Sequence, residues 1–126
     1  MKGLALSICA AAVLLASCDA PAPKTTLPRI KIASGELTGG NEAGVEFFKG
    51  IPYAAAPVGD LRWRPPQPPA NWQGVRACTD FGPLCFQTIP DAGNADTPRQ
   101  SEDCLYLNVW TAAGRARERR PVMVWI

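Results

Sequence analysis

Ser101-Glu102-Asp103-Cys104-Leu105-Tyr106-Leu107-Asn108-Val109-Trp110 is the stretch on which the fold turns. A polar, acidic start gives way to a cysteine and then to an apolar run. In an extended chain Leu105, Leu107 and Val109 fall on one side, and Cys104, Tyr106, Asn108 and Trp110 on the other. Both sides are largely apolar, the pattern of a strand covered on both faces, as in α/β proteins. A second apolar run, Val122-Met123-Val124-Trp125-Ile126, reads as a further strand.

Upstream, Pro28 to Ala54 reads as a β-meander. Arg29-Ile30-Lys31-Ile32 alternates with period two, Gly35 and Gly39-Gly40 mark turns, and Val45-Glu46-Phe47-Phe48 forms another strand. Ala54 to Gly74 is crowded with Pro57, Pro65, Pro66, Pro68 and Pro69, which rules out helix and central strand. Such a loop is ordered only if its rings pack, and Trp63 and Trp72 are the expected anchors. A proline-rich ligand for an adaptor domain is the competing reading, disfavoured by the export signal described below. Gln87 to Gln100 is a polar surface loop. The run Arg115-Ala116-Arg117-Glu118-Arg119-Arg120 is read as a solvated connector in preference to a basic binding patch.

At the amino terminus, Lys2 precedes an apolar core from Leu4 to Ala16, too short to span a bilayer as a helix. Residues 1–17 are therefore expected to be a secretory leader. Residues 18–27, with Pro21 and Pro23 and little to bury, read as an extended tether, leaving 28–126 as the body. Leu15-Ala16-Ser17-Cys18 resembles a bacterial lipobox, in which Cys18 becomes the lipidated first residue of the mature protein. An ordinary cleaved leader with an incidental cysteine is the alternative. The expected location is the exported face of a bacterial membrane. Asp19 resembles the inner-membrane retention signal of enteric bacteria, a rule that varies between organisms.

The 126 residues suffice for one small domain, and a net charge of +2 argues for neither nucleic acid nor an anionic surface. Histidine is absent altogether. The three body cysteines, Cys78, Cys85 and Cys104, leave one thiol over if the compartment is oxidising. A metal site is disfavoured by the lack of histidine and of a CxxC pair, and none is expected.

Glu102 to Trp110 closely resembles the second signature of the type-B carboxylesterase family, which includes the cholinesterases and bacterial para-nitrobenzyl esterases. Phe48-Lys49-Gly50-Ile51-Pro52-Tyr53-Ala54, Pro57-Val58-Gly59-Asp60-Leu61-Arg62-Trp63, Phe81-Gly82-Pro83-Leu84-Cys85-Phe86-Gln87 and Pro121 to Ile126 resemble the same family in the same order. Ala112 stands where the signature usually ends in Pro. The resemblance implies an α/β-hydrolase fold represented by its amino-terminal meander, proline-rich loop and first main-sheet strands. In that topology the meander is a small sheet beside the main one. Leu105–Trp110 and Val122–Ile126 become the second and third main strands, with the fourth expected between them and missing from this sequence.

The resemblance also implies a disulfide between Cys85 and Cys104, and a structural salt bridge from Arg62 to Glu102; Cys78 matches no position of the family and is expected to be a free, partly buried thiol. If that bridge were buried, stranding one partner would cost roughly 3–5 kcal/mol. The implied activity is hydrolysis of small-molecule carboxylic esters through a Ser–His–acid triad and an acyl-enzyme, without a cofactor. Neither a Gly-X-Ser-X-Gly elbow nor the His-Gly-Gly oxyanion loop occurs in the sequence. No catalytic residue is therefore assigned, and the chain is expected to be an amino-terminal fragment, inactive and unable to fold alone. Non-catalytic adhesion members of the family, or an inactive remnant, are the alternatives.

Overall fold

The computed structural model describes residues 26–90, 93, 97–115 and 117–126. The leader and most of the tether, Cys18 included, lie outside them. Among the described residues there are six strands: β1 (Arg29–Ile32), β2 (Gly35–Thr38), β3 (Gly40–Glu42), β4 (Val45–Pro52), β5 (Val75–Ala77) and β6 (Tyr106–Thr111), with one 3₁₀ turn at Gly59–Leu61. No described helix is long and apolar enough to cross a membrane.

The strands form two three-stranded sheets, β1-β2-β5 and β3-β4-β6. β1 and β2 are antiparallel, Ile30 opposite Leu37, and β5 joins β2 in parallel, Arg76 opposite Leu37. In the other sheet β4 runs antiparallel to both neighbours, with Phe47 opposite Gly40 on β3 and Trp110 on β6. The expected meander is thus divided. Its first hairpin builds one sheet, while β3 and β4 share a sheet with β6 instead of standing beside it. The physical reason is the length and apolar content of β4, whose eight residues have surface enough to hold a partner on each edge.

One residue joins the two sheets. The Cys78 N–H donates to the Thr38 carbonyl (2.7 Å), and its own carbonyl accepts from the Lys49 N–H (2.8 Å). The Cys78 side chain is fully buried and packs with Leu37 and Phe48, against which Ile32, Ile51 and Trp72 are partly buried. Such a small core follows from the composition of the strands, in which only one residue of β2 and two of β4 are buried.

At the same point β4 kinks: its register with β6 shifts between Phe48 and Ile51. Gly50 has φ +65°, and its N–H donates to Asn108 Oδ1 at 2.9 Å. A Cβ here would lie 2.7 Å from the Asp80 carbonyl oxygen. Conformation and space both demand glycine, and the bulge it permits turns β4 toward the 80–82 segment.

Of the two expected anchors of the proline-rich loop, only Trp72 packs. Its backbone N–H donates to the Ser34 carbonyl (3.0 Å) and its Nε1–H to the Glu36 carbonyl (2.9 Å). The indole covers Gly35, where a Cβ would overlap it. Trp63 is a correction. It is 99% exposed, with φ +60°, so it anchors nothing among the described residues.

Val122–Ile126 is a second correction. It forms no strand, and its side chains are exposed, Trp125 at 92%. A strand requires a neighbour to accept its ladder, and no described segment pairs with this one. Leu107, Val109 and Trp110 of β6 are likewise exposed instead of covered.

Gly50→Ala should lower stability by about 1–3 kcal/mol, from the left-handed backbone and the crowded Asp80 carbonyl. Urea unfolding checks this, and an unchanged midpoint would contradict the constraint assigned to Gly50.

Candidate functional site

The residues singled out in the sequence meet where the proline-rich loop, the Phe81–Gln87 segment and the approach to β6 converge. Cys85 and Cys104 form a disulfide, with their Cα atoms 5.1 Å apart across a sequence separation of 19. In the chain-entropy model, closing a loop of that size contributes on the order of 3 kcal/mol. The neck of the loop is also zipped by backbone bonds. The Leu84 N–H donates to the Arg99 carbonyl and the Ser101 N–H to the Leu84 carbonyl, each at 2.9 Å. The Gln87 N–H reaches Gln100 Oε1 at 2.8 Å.

Arg62 Nη2 lies 3.0 Å from Glu102 Oε1. Their side chains are 56% and 39% exposed, so the pair is a surface bridge in this structure. Water screens it, and its contribution falls to about 0.2–1 kcal/mol. The larger cost attached to a buried pair does not apply. An open depression of about 230 Å³ lies beside it, lined by Pro57, Trp63, Phe86, Ser101 and Cys104.

A larger cleft, about 360 Å³, lies on the other side of Cys104, between Phe81–Cys85 and the side chains of Tyr106 and Asn108. Four contacts absent from the sequence reading engage Phe81 and Tyr106 of its lining or the side chains beside them. The Lys49 ammonium sits 4.5 Å from the Phe47 ring centroid and 4.7 Å from that of Phe81. Phe81 in turn meets Trp110 in a tilted pair at 6.1 Å. The Tyr106 hydroxyl donates to Asp103 Oδ2 at 3.0 Å, and burial, helped by that carboxylate, raises its pKa above the usual phenol range. Lysine two residues after Phe47 and two aromatics beyond β5 carry no spacing rule that would have announced this cluster.

The arrangement positions chain segments. Ser101 Oγ accepts the Asp103 N–H at 3.1 Å, and with no histidine in the sequence there is no imidazole to act as its base. The Cys78 thiol is not disulfide-bonded and is fully buried, more deeply than expected. Burial raises its pKa, and the nearby Arg76 opposes this without reversing it. Among the described residues no three His, Cys, Asp or Glu side chains gather as metal ligands.

A family model described as "Carboxylesterase family" matches residues 26–126, and the chain belongs to that family. Fumonisin B1 esterase of Sphingopyxis macrogoltabida is 47% identical over 87 residues, covering 69% of this chain and 16% of that protein. Para-nitrobenzyl esterase of Bacillus subtilis is 45% identical over 94 residues, covering 73% and 19%. Among solved structures, a para-nitrobenzyl esterase superposes with a TM-score of 0.64 at 41% identity, over 71% of this chain and 19% of its own. The Geobacillus stearothermophilus carboxylesterase at pH 6.8 gives a TM-score of 0.61 at 44% identity, over 72% and 18%. This chain thus spans about a fifth of the length of the relatives it matches.

Three outcomes check the geometry. Arg62→Met should lower stability by no more than about 1 kcal/mol, and added salt should shrink the difference. A loss above about 3 kcal/mol would mean that the pair is buried in the working protein. Cys78 should resist alkylation by iodoacetamide at pH 8 and react promptly in urea. Because its folded pKa is raised, its share of stability is intact below the unfolded thiol pKa and declines as pH rises through the folded one. Cys78→Ala should therefore flatten the alkaline end of the stability profile, and an identical profile would contradict the assignment.

Proposed function

We propose that this chain is the amino-terminal part of an exported serine carboxylesterase that hydrolyses small-molecule carboxylic esters through an acyl-enzyme. The observation that carries the reading is the family match over residues 26–126, which takes in every strand of both sheets. The relatives' names describe hydrolases of several different esters, so the reaction class is the part of the proposal they support.

The division of labour follows from the chemistry. Acyl transfer needs a nucleophile, a base and backbone donors for the oxyanion. None of these is assigned to a residue of this chain; the proposal places them in the remaining length that the relatives possess. The part played here is structural. Cys85–Cys104 and Arg62–Glu102 tie the 81–87 segment and the proline-rich loop to the start of β6, and Asn108 fixes the β4 bulge beside it.

The proposal extends to location. Residues 1–17 are the leader, Cys18 carries the lipid, 18–27 are the tether and 28–126 open the esterase domain. The apolar leader, the Leu15–Cys18 pattern and the presence of a disulfide, a bond favoured by oxidising compartments, support this. Attachment is then through acyl chains at Cys18.

The reading frame should be expressed to the length of the relatives, beside the 126-residue chain. The long protein should hydrolyse para-nitrophenyl esters and take up one equivalent of an alkyl phosphonate, while the short one should not exceed the buffer rate. Turnover by the short chain, or neither turnover nor labelling by the long one, would overturn the assignment. For the anchor, radiolabelled palmitate should mark the wild type and not Cys18→Ser; equal labelling of both, or of neither, would remove the lipid from the account.

A further inference from the structure

We draw no further inference here: the strongest candidate, the exposed apolar face of β6 that carries Leu107 and Val109, has nothing in the structure to show what covers it.

Discussion

The backbone of Cys78 is the joint on which both sheets depend. Two hydrogen bonds from one residue, to Thr38 on one side and from Lys49 on the other, hold β2 and β4 in fixed relation. Each contributes only about 0.5–1.5 kcal/mol net, but leaving either group buried without a partner would cost more than the bond supplies. Burial explains why the bonds matter: Cys78 is sealed by Leu37 and Phe48, so water cannot substitute for either partner. The neighbouring bulge depends on the same place, because Lys49 donates to Cys78 while Gly50 turns away to Asn108.

From this joint the chain reaches outward by side-chain contacts. Trp72 returns the proline-rich loop to β2, and Lys49, Phe81 and Trp110 form a ladder of ring and ammonium contacts along the β4–β6 sheet. The disulfide and the Arg62–Glu102 pair then secure the loops at the entrance to β6. The core of this scaffold is small. Among the described residues, Leu37, Phe48, Ala54 and Cys78 are the buried hydrophobic ones, whereas apolar groups along β6 and Val122–Ile126 face solvent. A whole domain holds a net stability of only about 5–15 kcal/mol, drawn from a far larger buried area. A staple worth on the order of 3 kcal/mol does not replace it.

The local signals were legible where chain geometry alone decides them. Period-two alternation marks β1, the Val45–Phe48 run marks β4, glycines mark the turns between them, and the Leu105–Trp110 run marks β6. What sequence could not provide was partnership. β5 is three residues long and owes its existence to the edge of β2, so Val75–Ala77 carried no signal. The union of β4 with β6 spans more than fifty residues and rests on a bulge whose acceptor, Asn108, looked like an ordinary strand position. Trp63 and Trp72 looked alike in composition, yet only Trp72 has carbonyls of β2 and its preceding turn within reach. Val122–Ile126 had the composition of a strand without a ladder to join. The Cys85, Cys104, Arg62 and Glu102 pairings came from motif resemblance, since the spacing of three body cysteines leaves the choice of pair open.

We propose that these strands, joined at Cys78, form a scaffold too small to hold itself together. Amide exchange at Phe48 and Val109 tests it most directly, measured in residues 19–126 with the disulfide intact and in the full-length protein. The account predicts strong protection at both sites in the long protein and its loss in the short chain. Slow exchange at both positions in the short chain would contradict it.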